Sequence, residues 1–507
     1  MNDVFHGRQT GIGRHVTGLK TVLVGGSVAI YWLLKSANQW YYVSRLGREQ
    51  YSLPPGDMGW PLIGNMWSFL IAFKYGDPDS FISNMAARFG RTGIYKAYMF
   101  GSPSIIVTLP ETCKQVLMDD ERFKSGWPKS TNELMGRKSF LGFAGEEHKR
   151  LRRLTAAPIN GHKALSMYHE YIKEVTINSL DELAKTNRPI EFLIEVKKIT
   201  FKIIMHIFLG SEVDPMMKTL EEEYVNLNNG LRAMAINLPG FAFYKALKAR
   251  KKLVKILQAV VDGRRARKSS NLSETQKDMM ELLMDVEENS RKLDDEEIID
   301  IILMYLNAGH ESSAHATMWA TLFLQQHPEC LQKAKREQEE IIRGRPSTEK
   351  GLIYKEIKQM EYLSKVIDET LRAVTISLFT CREAKTDVSI NGYTIPQGWK
   401  VLVWFRGVHM DPENYPNPKD FNPSRWEENK YKAGTFFPFG RGTRLCPGSD
   451  LAKLEIYTFL HYFLLDYELE PLNPGTAVTY LPHSTPGDNC LAKIKKLSTS
   501  SSSYKKV

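Results

Sequence analysis

Cys446 lies in the run Phe439-Gly440-Arg441-Gly442-Thr443-Arg444-Leu445-Cys446-Pro447-Gly448, between Phe436-Phe437-Pro438 and a helical pattern from Leu451 to Leu465. Glycines at 440, 442 and 448 let the backbone turn sharply and pass close to a large flat object. Arg444 puts a fixed positive charge two residues before the sulfur, and the helix start just beyond favours a thiolate over a thiol. A single thiolate with no Cys or His neighbour is the arrangement that holds a haem iron. A buried structural cysteine in a glycine-rich turn is the plainer reading of the same residue.

A second stretch with chemical potential is Ala308-Gly309-His310-Glu311-Ser312-Ser313. It falls inside the longest helical pattern, which opens on Asp294-Asp295-Glu296-Glu297 as the helix dipole prefers and runs to His327 before Pro328. From Ile298 to Gly309 that pattern is apolar almost all round, so the helix is expected at the centre of the body. An acid and a hydroxyl there are out of place without a role. Gly309 makes room and loosens the backbone ladder, while Glu311 and Ser312 can hold water and pass protons. A serine bonded back to its own helix is the alternative.

The elements that must position these residues follow from pattern. Gly101 to Leu109 alternates and reads as a strand; Asp387 to Ile395 and Trp399 to Trp404 read as strands around an Asn391-Gly392 hairpin signal. Residues 165–285 carry helical patterns broken at Pro215 and at Asn237-Leu238-Pro239-Gly240, with Arg264 to Gln276 as a polar surface loop. Phe241, Phe243 and Tyr244 beside the basic stretch Lys245 to Lys252 suit either a membrane-facing mouth or a plain turn between helices. His148 and Arg152 share one face of a basic helix, which charge alone makes a solvated face. Glu369 and Arg372 share a face too, and alone they read as a surface ion pair.

Composition bounds the whole. The chain has 507 residues, 42% hydrophobic and 25% charged, which is ordinary globular composition with ample material for a large core. Its net charge of +10 suits anionic lipid, an acidic protein partner or a merely basic surface, and no nucleic-acid motif accompanies it. The five cysteines are scattered without C-x-x-C spacing, so neither a disulfide framework nor a zinc site is indicated and the body is expected in a reducing compartment, on the cytosolic side. Thr21 to Leu34 is apolar, extended by Val16 to Leu19 and followed by Trp40-Tyr41-Tyr42, so residues 1–50 are read as a membrane anchor and flank, with a cleaved signal peptide as the rival. Residues 51–65, with Leu53-Pro54-Pro55-Gly56, make a stiff proline-rich hinge, and 498–507 a low-complexity tail read as disordered. The catalytic domain is then 66–497.

With its neighbours, the cysteine run forms F-x-x-G-x-R-x-C-x-G and resembles the haem-binding loop of the cytochrome P-450 superfamily. Three more stretches stand in that superfamily's order: Glu311-Ser312 in the long helix, Glu369-Thr370-Leu371-Arg372, and Phe421-Asn422-Pro423-Ser424-Arg425-Trp426. The resemblance covers about residues 50–495. It implies a mainly α fold with a smaller β region and a long central helix over haem b. It implies that Cys446 is the axial ligand of the iron, with Phe439 and Arg444 in the haem loop, and that Glu369, Arg372 and Arg425 form a structural triad. His148, Arg152 and Arg382 are implied as haem-propionate contacts, His148 standing where many members have tryptophan. Ser312 stands where threonine is usual, and Ser377 where many members have proline.

The implied reaction is a monooxygenation with O2 and electrons from NADPH, delivered through the flavin of a separate NADPH-cytochrome reductase. This chain shows no flavin or dinucleotide fingerprint, since Gly11-Ile12-Gly13 lacks the strand it would need.

Further stretches look like the plant ent-kaurenoic acid oxidases: Leu53 to Phe69, Gly126 to Ser130, Arg232 to Phe241 and Tyr305 to Ser313. Those enzymes carry out three successive oxidations of an apolar diterpenoid acid to the first gibberellin. They sit at the endoplasmic reticulum membrane, single-pass, with the catalytic domain on the cytosolic side and in contact with membrane lipid. Lys129 and Arg232, in the resembling segments, are candidate partners for the substrate carboxylate. The rival readings are a triterpenoid (beta-amyrin-type) oxidase of the same branch and an oxygen-independent haem-thiolate isomerase.

Overall fold

The computed structural model describes residues 26–27, 29–46, 52–231, 233–269, 278–288, 291–346, 351–427 and 431–497. The apolar stretch up to residue 25, Arg232, the 270–277 loop and the 498–507 tail lie outside them. The chain divides into two compact units: residues 1–109 with 383–402, and residues 110–382 with 403–507.

In the first unit, strands Ile94–Met99 and Ser102–Val107 pair antiparallel, Ile94 opposite Val107. Ser104, Ile105, Ile106 and Val107 of the second strand are consecutive and all buried, so this strand is covered on both faces where alternation was expected. The proline-rich hinge docks on the first strand: the Lys96 amide donates to Pro55 O at 2.9 Å and the Asn65 amide to Tyr98 O at 2.9 Å. Gly56 has φ of 139° there, and a Cβ on it would stand 2.2 Å from Lys96 O, so only glycine permits the approach. Residues 29–42 are helical, and Asn38 Nδ2 ties that helix to Met58 O at 3.1 Å. Among the described residues no helix is long and apolar enough to cross a membrane. The Asn391-Gly392 signal makes its hairpin: Val388–Ile390 pairs with Tyr393–Ile395, and both turn residues have positive φ.

The second unit is helical and built around the central helix Asp295–Gln326. Asp294 and Glu297 close a capping box at its start, with Glu297 N to Asp294 Oδ1 at 2.8 Å and Asp294 N to Glu297 Oε2 at 2.9 Å. Every residue from Glu297 to Leu306 is buried, so the all-round apolar run does sit in the core. Pro328 starts a new helix, Pro328–Gly344, where its missing N–H costs nothing. Helix Phe192–Leu209 packs along the central helix. Gly309 eases the contact, since a Cβ there would stand 3.2 Å from Ile204 Cδ1 and that side chain would have to give. Thr200 Oγ1 donates to His310 O at 3.0 Å across the same contact.

Two readings of the 165–285 region need correction. A further break occurs at Asn187, in the left-handed conformation, ahead of Arg188-Pro189 and the short strand Ile190–Glu191. And Arg264–Lys268 is no loop: helix Ala242–Ser269 runs through it. Arg264 is buried, bonding Asp278 Oδ1 at 2.6 Å, Glu212 Oε2 at 3.1 Å and Leu209 O at 2.6 Å. Two acids from neighbouring segments satisfy a charge that sequence pattern assigned to solvent.

Candidate active site

The second unit encloses a cavity of about 380 Å³, within the usual range for small-molecule sites. Ala308, Gly309, Ser312 and Ser313 of the central helix form one wall; Phe439, Arg441, Arg444 and Cys446 form another. Ile204, Phe208, Ile376 and Phe405 add apolar surface, and Arg382 and Glu455 are the other charged residues on the wall.

The cysteine loop is held by its own backbone. The Cys446 amide donates to Phe439 O at 2.9 Å, folding the loop back on itself. Gly440 and Gly442 have φ of 74° and 77°, where L side chains strain. A Cβ on Gly442 would stand 2.4 Å from Leu117 O, so this glycine serves the protein's own packing. Helix Ser449–Asp466 follows at once. Burial pushes the Cys446 thiol up, against smaller opposing pulls from the Gly448 amide and the Arg152 charge. Arg444 keeps its charge while its Nη1 and Nη2 donate to Phe140 O at 3.2 Å and Phe143 O at 3.1 Å. The expected thiolate therefore requires a bound metal, which deprotonates a coordinating thiol outright.

The cations around the cavity fit an anionic cofactor. Arg382 and Arg444 line it, and the Nε of each is buried without a hydrogen-bond partner among the described residues. Burial and the neighbouring Arg444 push Arg382 down to about 10; burial lowers Arg444 as well, with Asp120 opposing. Arg152 is half-buried over the Phe140 ring at 5.9 Å. His148 is buried and held neutral, its pKa lowered to about 4 by burial and by Arg444 and Arg152. Clustered guanidinium groups with unused donors at a soft sulfur ligand suit the carboxylates and iron of a haem.

The acid and the alcohol of the central helix take different surroundings. Ser312 lines the cavity but donates to Ala308 O at 2.8 Å. Glu311 is absent from the cavity wall. Its carboxylate stands 3.5 Å from Lys197 Nζ and 3.8 Å from His483 Nε2. His483 packs on His315, ring centroids 4.9 Å apart. His315 in turn meets Glu311 O at 2.7 Å and Thr485 Oγ1 at 3.2 Å.

The Glu369 cluster is fully buried, unlike the surface pair that spacing alone suggested. Arg372 Nε and Nη2 each reach the Glu369 carboxylate at 2.8 Å, and Arg425 Nε reaches it at 2.9 Å. Trp426 Nε1 and the Asn422 amide complete its acceptor sites at 3.1 and 2.9 Å. Arg372 Nη1 then donates to His409 O at 3.0 Å and Pro418 O at 2.8 Å, bracing the segment before the cysteine loop.

Two residues escaped the sequence reading. His409 joins this network to Phe437, and nothing in its local sequence marks it. Glu455 is a buried acid on the cavity wall, and its place in the apolar pattern Leu451 to Leu465 was a legible signal. Lys129 is exposed in the first turn of helix Lys129–Met135 and is absent from the cavity wall. Arg232 lies outside the described residues.

Comparison with known proteins agrees with this geometry. The chain is 60% identical to ent-kaurenoic acid oxidase 2 of Arabidopsis thaliana, over 94% of this chain and 97% of that one. It is 58% identical to a 7,8-epoxymelianol synthase of Ailanthus altissima (94% and 96%) and 54% to beta-amyrin 11-oxidase of Glycyrrhiza uralensis (92% and 95%). Among solved structures, retinoic acid-bound cyanobacterial CYP120A1 matches with a TM-score of 0.80 and 27% identity, over 88% of this chain and 100% of that one. The Cytochrome P450 family profile matches residues 54–486, and the chain belongs to the cytochrome P450 family.

Proposed function

We propose that this protein is a haem-thiolate monooxygenase that oxidises ent-kaurenoic acid in three successive steps to the first gibberellin. The observation that carries the reading is the 60% identity to an ent-kaurenoic acid oxidase over almost the full length of both chains. Cys446 Sγ would hold the iron of a bound haem, and Arg382, Arg444 and Arg152, with His148, would meet its carboxylates. When bound, the haem supplies a redox-active iron for inserting an oxygen atom from O2 into a C–H bond. Electrons come from NADPH through a separate reductase.

The chain's own residues set the conditions for that chemistry. Ile204, Phe208, Ile376 and Phe405 exclude water and hold an apolar ring system against the central helix. Glu311 holds a proton route at the edge of the site, with Lys197 and His483 as its outer partners. Ser312 lines the cavity with its proton spent on Ala308 O, which leaves its hydroxyl lone pairs to accept a hydrogen bond. The Glu369 cluster keeps the loop rigid.

We also propose that residues 1–50 anchor the protein in the endoplasmic reticulum membrane, with the catalytic unit on the cytosolic side. The exposed Ile30, Trp32, Leu33 and Trp40 on the 29–42 helix support a lipid-facing surface there.

The beta-amyrin 11-oxidase relative, at 54% identity, supports a second reading as a triterpenoid oxidase. Microsomes holding this protein and a plant reductase, fed ent-kaurenoic acid or beta-amyrin, separate the two by mass spectrometry of products. Three-step products from the acid, with none from beta-amyrin, are expected. Turnover of beta-amyrin alone overturns the diterpenoid reading.

A further inference from the structure

Asp300 is the one charged residue in the apolar run from Ile298 to Gly309 of the central helix, and it is 1% exposed. Both of its carboxylate oxygens are used. Arg250 Nη2 donates to Oδ1 at 2.5 Å, and the Lys138 amide donates to Oδ2 at 3.1 Å. Arg250 belongs to helix Ala242–Ser269, and its Nη1 also reaches Leu134 O at 3.4 Å. Gly136 lies so close to the carboxyl group that a Cβ on it would stand 2.0 Å from Asp300 Cγ. Lys138 Nζ adds ion pairs to Asp294 at 2.8 Å and Glu296 at 3.0 Å, at the start of the same central helix.

From this clamp the chain is hydrogen-bonded to itself as far as the cations around the cavity. Ser139 Oγ donates to Gly136 O at 2.8 Å, and the Gly142 and Phe143 amides donate to Ser139 O at 3.0 and 3.3 Å. The carbonyls of Phe140 and Phe143 then hold the Arg444 guanidinium. The Phe140 ring meets His148 with centroids 5.9 Å apart and lies under Arg152. Arg444, His148 and Arg152 therefore all rest on residues 140–143. A buried ion pair is often no more stabilising than apolar side chains of the same volume. What it adds here is direction: an apolar side chain would fill the space at Asp300 but would bind neither the Lys138 amide nor Arg250.

We propose that Asp300 is a positioning residue for the cofactor. With Arg250 it clamps residues 134–138, and the strap 139–143 passes that position on to Arg444, Arg152 and His148. The inference rests on the reading that those three meet the carboxylates of a bound haem.

The test uses the full-length haem-loaded protein and two readouts: the rate of haem transfer to excess apomyoglobin, and the propionate bending band in the resonance Raman spectrum. Asp300→Asn and Arg250→Gln are each expected to move the band and to release haem about 10-fold faster, the scale of one hydrogen bond to a charged group. Arg264→Gln, which opens a buried ion cluster further along Ala242–Ser269, should lower stability and move neither readout. Arg444→Gln, which removes the cation itself, should speed release. Unchanged readouts in the two clamp variants beside faster release in Arg444→Gln would overturn the clamp and leave the haem reading standing. No change in Arg444→Gln would overturn the carboxylate assignment and the clamp with it. Equal effects in Arg264→Gln and the clamp variants would overturn the positioning role, since general loosening then accounts for both. Should neither clamp variant load haem, amide hydrogen exchange of the wild-type holoenzyme decides: Lys138, Gly142 and Phe143 should be protected, and exchange at the rate of an exposed loop would overturn the proposal.

Discussion

The Phe437 amide donates to His409 Nε2 at 3.0 Å, which fixes the segment entering the cysteine loop to the Glu369 cluster. The other ring nitrogen meets Thr375 Oγ1 at 3.0 Å, and Thr375 gives its own proton to Arg372 O at 2.8 Å. Nδ1 therefore carries the ring hydrogen and Nε2 is the acceptor. Burial, with Arg372 and Arg406 adding repulsion, lowers this histidine to about 3 and keeps it neutral. His409→Phe leaves the buried amide without a partner, at a cost of about 1–3 kcal/mol. A lower denaturant midpoint and a smaller share of thiolate-type carbon-monoxide complex are expected. An unchanged midpoint and spectrum would show that the link does not brace the loop.

The proton route gives a second prediction. Because Ser312 spends its hydrogen on Ala308 O, Glu311 is the more consequential of the two. Glu311→Gln should lower product formed per NADPH by about 100-fold, the low end of general acid–base effects, and Ser312→Ala by less. Peroxide and product measured against NADPH consumed check this. A larger loss with Ser312→Ala than with Glu311→Gln would reverse the assignment.

Much of this site was legible because its residues carry chemistry at fixed spacing. The cysteine run and Ser312 reach the cavity and Glu369 meets Arg372 and Arg425 in one buried cluster, whereas Glu311 lies off the cavity wall beside Lys197. What failed was inference from charge pattern. Arg264 looked like loop and proves to be core, because its partners Glu212 and Asp278 are distant in sequence. Arg444, read as a charge beside the sulfur, has its guanidinium held by two backbone carbonyls that only the fold brings in. His409 is a lone histidine at the end of the short helix Phe405–His409, and only tertiary structure brings it to Phe437.

Stability should peak near pH 6.5. His169, His409 and His461 are buried, with pKa values lowered to about 4, about 3 and about 3. The unfolded chain takes up protons that these folded sites refuse, so stability is lost as pH falls below about 6.5, at up to about 1.4 kcal/mol per pH unit per histidine. Glu455 has the opposite sign. Its raised pKa contributes stability at low pH that is lost as pH rises through about 8, and Glu455→Gln should remove that gentler alkaline slope. Thermal melts from pH 5 to 9 measure both limbs. Rising stability from pH 6.5 down to pH 5 would contradict the neutral burial of the histidines.

The central claim, that Cys446 in its glycine-bounded loop is the iron's thiolate ligand, is tested most directly by the ferrous carbon-monoxide spectrum of Cys446→Ala beside wild type. The account predicts a thiolate-type Soret band in the wild type and its complete loss in the variant, with the fold retained by circular dichroism. A folded Cys446→Ala protein that keeps the thiolate-type band would contradict the assignment.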